Sequence, residues 1–315
     1  MGRPRSIFVL VALAALLVAC TSDDRPGGDG SPSPGSAAAS FPVTVRGTNG
    51  SVTIEERPTR IVSLSATATE DLFAIGAGDQ VIAVDDQSNY PPDAPATDLS
   101  GYEPNVEAIA SYEPDLVVYA TEIGDLGDSL RSVGITSLQL DAPATLEDAY
   151  GQIEQLGAAT GHVDDAKAVV ADMRAELDAI VRSAAGSDGL SFYHELDDTY
   201  YSVTSDTFIG QLYELLGLEN IADAAGKHSG GYPQLSGEYI IDADPDLIFL
   251  ADTKCCGQSP GTVAERPGWD QIAAVARGDV VPLGDDVASR WGPRVVGLLR
   301  IVADAASRAA GQAAV

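Results

Sequence analysis

Glu107-Ala108-Ile109-Ala110-Ser111-Tyr112-Glu113-Pro114-Asp115-Leu116-Val117 returns in the second half of the chain, without a gap, as Glu238-Tyr239-Ile240-Ile241-Asp242-Ala243-Asp244-Pro245-Asp246-Leu247-Ile248. The shared pattern is Glu-x-Ile-x-x-x-acidic-Pro-Asp-Leu-apolar. Each copy reads as a short helix, a Pro-Asp turn that stops it, and a buried strand. A repeat of this kind predicts two lobes related by a pseudo-twofold axis, with Glu107 and Glu238 in equivalent places, one on each lobe.

Outward from the first copy, Arg60 to Leu64, Val81 to Val84, Leu116 to Tyr119 and Thr136 to Leu140 read as short buried strands. Helical segments lie between them, from Ala68 to Ile75 with Gly76 closing it, near Val106 to Tyr112, and from Leu126 to Val133. Strands at Ser191 to Tyr193, Leu247 to Leu250 and Val280 to Leu283 form a second series, with helices from Thr207 to Leu216 and from Arg294 to Ser307. Short apolar strands alternating with helices imply parallel sheets covered on both faces. Between the two series Val163, Ala166, Val170, Met173, Leu177, Ile180 and Val181 recur at three- and four-residue steps. They mark one face of a helix from about His162 to Ala185 that runs roughly 30 Å and would join the lobes stiffly. The expected fold class is α/β, with two lobes of mainly parallel sheet joined by one long rigid helix. The expected divisions are 41–160 for the first lobe, 161–186 for the linking helix and 187–315 for the second lobe.

Before the folded part, Arg3 and Arg5 precede an apolar run from Ile7 to Val18, and Leu17-Val18-Ala19-Cys20 closes it. The run is shorter than the ~20 residues that span a bilayer, so it reads as a signal peptide over residues 1–20. The sequence ending in Cys20 resembles a lipoprotein signal, which implies lipidation of Cys20 and a place on the outer face of the cytoplasmic membrane. Residues 21–40 are rich in Ser, Gly, Pro, Asp and Ala and have no apolar period, the composition of a disordered tether. With 47 acidic residues against 18 basic ones, a nucleic-acid or anionic-lipid surface is excluded as a main function. Three cysteines, two of them adjacent at Cys255 and Cys256, exclude a disulfide-framework scaffold.

The ordered set of Arg60-Ile61-Val62-Ser63-Leu64-Ser65 with Glu70 after it, Asn89-Tyr90-Pro91-Pro92, the two Glu/Pro-Asp-Leu repeats, Gly217-Leu218-Glu219-Asn220-Ile221 and Pro293-Arg294 carries a family resemblance. From about Thr59 to the last helix, the chain resembles the solute-binding proteins of ABC importers for cobalamin and ferric siderophores. The resemblance implies two lobes flanking a rigid helix, and a monomer that delivers its ligand without chemistry to the importer's membrane subunits. It further implies that Glu107 and Glu238 meet arginines of those permease subunits. Taken singly, each glutamate reads as a residue that caps or solvates its helix, and it is the repeat that favours docking.

Residues of a ligand cleft come from loops at strand ends. Tyr90, Tyr102, Tyr232 and Trp291 all lie in such loops and would offer a broad apolar cradle to a bulky rigid ligand. Asn89-Tyr90-Pro91-Pro92 resembles the matching turn of cobalamin-binding members, which favours a corrinoid. Arg290 beside Trp291 would suit the alternative, an anionic ferric siderophore held through its oxygen atoms, with haem a further option. His194, at the end of a strand, is a candidate ligand to cobalt or iron if it faces the cleft, and a hydrogen-bonded core histidine otherwise. His162, His194 and His228 show no metal-ligand spacing, so no bare-metal site and no resident cofactor is expected. Cys255 and Cys256 follow a strand in a Gly-Pro loop expected to border the cleft, either as a vicinal disulfide or as two thiols against the ligand. Two other classes compete, an exported enzyme and a lipoprotein that binds only proteins. The first requires a nucleophile with its base or a phosphate-cradling loop, and neither G-x-S-x-G nor a Walker sequence occurs.

Overall fold

The computed structural model describes residues 40–184, 186–226 and 229–313. The expected signal peptide, Cys20 and the tether up to residue 39 lie outside the described residues. The folded chain opens with an antiparallel hairpin, β1 (Val43–Gly47) and β2 (Gly50–Ile54). There follow β3 (Ile61–Leu64), α1 (Ala66–Ala74), β4 (Val81–Asp85), β5 (Ala96–Leu99), α2 (Val106–Ala110), β6 (Leu116–Tyr119), α3 (Leu126–Ser132) and β7 (Ser137–Gln139). Helices α4 (Leu146–Thr160) and α5 (Val163–Ser183) come next. The second series is β8 (Ser191–Glu195), α6 (Phe208–Glu214), β9 (Glu219–Asn220), α7 (Gly237–Ala243), β10 (Leu247–Leu250), α8 (Pro260–Ala264), α9 (Ala273–Arg277), β11 (Val280–Pro282), α10 (Asp285–Ala288) and α11 (Val295–Ala313).

Among the described residues the strands after the hairpin form two wholly parallel sheets, ordered β5-β4-β3-β6-β7 and β11-β10-β8-β9. Period-two alternation distributes their side chains between faces. Ile61, Val84, Leu116 and Val118 of the first sheet and Phe192, Leu247 and Phe249 of the second enter one shared core with Val170, Met173, Leu177 and Ile180 of α5 and Leu298, Leu299 and Val302 of α11. Their neighbours Val62, Ala83 and Val117, and Tyr193, Ile248 and Leu250, pack under separate outer layers. The long helix is therefore bedded in an apolar core common to both sheets, and a wide hinge rotation would expose that core to water.

Local chemistry explains the repeat. Asn105 and Ser236 cap α2 and α7, their side chains accepting from the amides of Ala108 and Tyr239. Each short helix is followed by an acidic residue in the left-handed region directly before proline, Asp244 at φ 45° capping α7 and Glu113 at φ 50° just past the end of α2. Each following aspartate then ties down the strand before it. Asp115 accepts from the amides of Thr59 and Arg60 ahead of β3, and Asp246 from the amide and hydroxyl of Ser191 opening β8.

Candidate ligand-binding site

In the first sheet the strand order reverses direction between β3 and β6, so the loops after them leave on opposite faces and a crevice opens beyond their carboxyl ends. A cavity of about 200 Å³ lies there, closed on its far side by the segment between α10 and α11. Ser65, Thr67, Asp85 and Tyr102 line it from the sheet, and Arg290 and Trp291 from the opposite segment. Gly101 is required at its wall, because a Cβ there would stand 2.7 Å from the Leu64 carbonyl and 2.9 Å from Asp85 Oδ2. Trp291 is fixed by its indole N–H, which donates to Gln152 of α4 at 3.0 Å. Burial raises the Asp85 carboxyl above the ordinary range, although the Ser88 hydroxyl donates to it. The carboxylate of Asp286, also on the wall, is held below that range despite partial burial, by hydrogen bonds from Lys254 and Asn89 and by the charge of Arg290.

Arg290 is buried, and its donors are occupied. One guanidinium nitrogen donates to Glu70 Oε1 at 2.7 Å and Asn89 Oδ1 at 3.1 Å, the other to the Gln87 carbonyl at 2.8 Å and Asp286 at 3.2 Å. Arg294 reaches the same Glu70 carboxylate, with Nε at 2.8 Å from Oε2. Glu70 on α1 thus holds two arginines from the far end of the chain, and its side chain is 2% exposed. The free guanidinium expected to grip an anionic siderophore is instead a clasp between the two halves of the chain. Arg60 and Ser65 with Glu70, and Pro293-Arg294, were separate motifs in the sequence, and the ion pair shows why Glu70 and Arg294 occur together.

In the second sheet the equivalent reversal lies between β8 and β10, and its crevice is filled. Arg266 makes a bidentate pair with buried Glu195, both contacts 2.6 Å, and its guanidinium lies 4.4 Å over the Trp269 ring. Asp252 beside them is pushed up to about 7, by burial first and by the charge of Glu195 second. A larger cavity, about 710 Å³, opens where residues 142–144 after β7 face Thr204, Asp206, Thr207, Asp223 and Tyr232 of the second series.

Of the six residues expected at the cleft, Tyr102, Arg290 and Trp291 converge on the first cavity, and Tyr102 is 70% exposed to whatever enters. Tyr232 lines the second cavity. Tyr90 lines a third, beside Phe73 and Pro293, with the Arg294 guanidinium 4.5 Å over its ring, so it is not joined with the other aromatics in one pocket. His194 is corrected: it is fully buried on β8, with Nδ1 2.8 Å from the Tyr213 hydroxyl, and burial lowers its pKa to about 4. A strand flanked by β9 and β10 and covered by α6 leaves that imidazole no path to a ligand metal. Cys255 and Cys256 do not line either cleft cavity, and the border position expected of their loop is taken by Asp286. Among the described residues no group of three His, Cys, Asp or Glu side chains could hold a metal ion, and no helix is long and apolar enough to cross a membrane. Glu107 and Glu238 each stand exposed in the first turn of their repeat helices.

Comparison with known proteins matches residues 61–287 to the family described as periplasmic binding protein. A cobalamin-binding protein of Halobacterium salinarum is 31% identical over 92% of this chain and 80% of its own length. An uncharacterized ABC transporter substrate-binding lipoprotein of Bacillus subtilis, YvrC, is 30% identical over 81% of this chain and 82% of its own. Among solved structures, the periplasmic haem-binding protein RhuT from Roseiflexus sp. RS-1 superposes with a TM-score of 0.71 at 23% identity, over 80% of this chain and 99% of the other, a likeness of fold.

Proposed function

The chain belongs to the periplasmic binding protein family, and on that premise we propose that it is the substrate-binding component of an ABC importer that captures a corrinoid in the cleft between its two sheets. It delivers the ligand to the membrane subunits through Glu107 and Glu238, held at the outer face of the cytoplasmic membrane by a lipid on Cys20. The observation that carries the corrinoid reading is the charge of the cleft. Among the described residues lining its two cavities the one cation is Arg290, which Glu70 and Asp286 already neutralise, whereas Asp85, Asp206, Glu214, Asp223 and Asp286 are acidic. A ligand edged with carboxylates, as haem and many siderophores are, would meet like charge there. The neutral amide rim of a corrin finds hydrogen-bond partners in Ser65 and Thr67, and an apolar cradle in Tyr102, Trp291 and Tyr232.

The two tryptophans provide the test. Trp291 borders the first cavity, while Trp269 is sealed under the second sheet with 1% exposure. Titration with hydroxocobalamin is expected to quench indole fluorescence saturably, and Trp291→Phe to remove most of that quenching while saturation persists in the corrinoid's own absorbance. Saturable quenching by a ferric siderophore or haem, with none by the corrinoid, overturns the reading.

A further inference from the structure

Cys255 and Cys256 are left outside the cleft, yet their loop is fastened to its wall. Cys255 is exposed and Cys256 half-buried, and their Sγ atoms stand 2.7 Å apart. The Thr253 hydroxyl and the amides of Lys254 and Cys255 all donate to the Asp285 carboxylate, at 2.8, 2.9 and 2.8 Å. Asp285 opens α10, and the next residue, Asp286, accepts from Lys254 and Asn89 and pairs with Arg290. On its other side the loop is closed by the Cys256 amide, which donates to the Asp252 carbonyl at 3.2 Å.

We propose that Cys255 and Cys256 form a reversible redox site, a vicinal disulfide made and broken by thiol–disulfide exchange, whose closure loosens the α10 turn beside the cleft. The partner is the disulfide of an exported thiol–disulfide oxidoreductase. One cysteine thiolate attacks that disulfide and expels one partner thiolate. The second cysteine then attacks the mixed disulfide, the new S–S bond forms within the loop, and the partner leaves as a dithiol. The pair loses two electrons and two protons, and the partner gains them.

Geometry makes the bond labile. Adjacent Cα atoms are about 3.8 Å apart across a trans peptide, below the roughly 4.4–6.8 Å of ordinary disulfides, so the ring closes only if the intervening peptide twists. That peptide carries the Cys256 N–H, and twisting it breaks the bond to Asp252 and pulls on the three donors that hold Asp285. Strained, exposed disulfides are the readily reduced ones, which suits a switch and not a staple. Partial burial, the Cys256 thiol and the Asp285 carboxylate push the Cys255 thiol up to about 12, which makes it the slower nucleophile, so Cys256 makes the first attack and Cys255 the second, ring-closing one.

The experiment treats the full chain with oxidised glutathione or with dithiothreitol, alkylates it, and measures intact mass and amide hydrogen exchange. The oxidised form is expected to be about 2 Da lighter than the unalkylated reduced form, two hydrogens having left, and to resist alkylation at both cysteines. The amides of residues 253–256 and those of Val287, Ala288 and Ser289 in the α10 turn are expected to exchange several-fold faster in the oxidised form, with no such difference in a Cys255→Ser, Cys256→Ser variant. Alkylation of both thiols after oxidant treatment, or stable glutathione adducts in place of the internal bond, overturns the disulfide. A disulfide with unchanged exchange overturns the coupling to α10.

Discussion

Replacing Glu70 with alanine is expected to lower stability by about 3–5 kcal/mol, the usual cost of removing one partner from a buried ion pair. For a chain of this size that is a fall on the order of 10 °C in unfolding temperature. The reasoning starts from burial. Glu70 neutralises Arg290, whose side chain is 7% exposed, and Arg294, whose side chain is 25% exposed. Without the carboxylate, Arg290 keeps only Asp286 as its charged partner, at 3.2 Å and partly solvated, while Arg294 loses its ion-pair partner altogether. Glu70→Gln fills the same volume and retains one acceptor oxygen, so it should lose less than alanine while still failing to neutralise the pair. Thermal unfolding of both variants checks the order. If alanine costs no more than an exposed substitution, about 0.5 kcal/mol, the clasp is not what joins α1 to the end of the chain.

Replacing Glu107 and Glu238 together with alanine is expected to abolish most uptake while leaving ligand affinity and folding intact. The two residues are exposed and stand at equivalent positions of equivalent helices, so each can meet a cation of a two-subunit permease. Two interfacial charge pairs at the low end of measured couplings, about 1.5 kcal/mol each, amount to roughly a hundredfold in docking. Their alternative role, favourable charge at a helix N-terminus, is worth about 0.3–1 kcal/mol each and would appear in thermal stability. Uptake by cells and ligand titration of the purified variant separate the two. Unchanged uptake removes the docking role, and lost affinity would place the glutamates in the cleft.

The features legible in the sequence were those written in local chemistry. The repeat could be read because a capped helix, a left-handed acidic residue, proline and aspartate are consecutive. The α5 face could be read because Ala166, Val170, Met173, Leu177 and Ile180 recur at helical steps and are buried as that period requires. Two further local signs mark elements in the same way. Gly47-Thr48-Asn49-Gly50, between Val43 and Val45 on one side and Val52 and Ile54 on the other, is a hairpin signal, with Thr48-Asn49 as the two-residue turn joining β1 and β2. Thr145 and Asp148 form the capping box that starts α4.

The clasp had no local sign, since Glu70 and Arg290 are 220 positions apart and nothing near either names the other. Of the two readings open for His194, the hydrogen-bonded core histidine is the one the structure shows, and the strand period already favours it over a metal ligand. It shares a face with Phe192, two residues before it, and Phe192 belongs to the shared core. Tyr102 and Trp291 stand in legible loops, but the strand order of the first sheet places only the Tyr102 loop, and Trp291 is brought to it by the Glu70 clasp and the Gln152 bond.

The most direct test of the account is calorimetric titration of the purified protein with a corrinoid, a carboxylate-bearing ferric siderophore and haem. The prediction is one-site binding of the corrinoid at about 1 μM or tighter, near −8 kcal/mol, with the other two much weaker. Tight binding of the siderophore or haem with a silent corrinoid would contradict the ligand assignment, and failure of all three to bind would contradict the capture role itself.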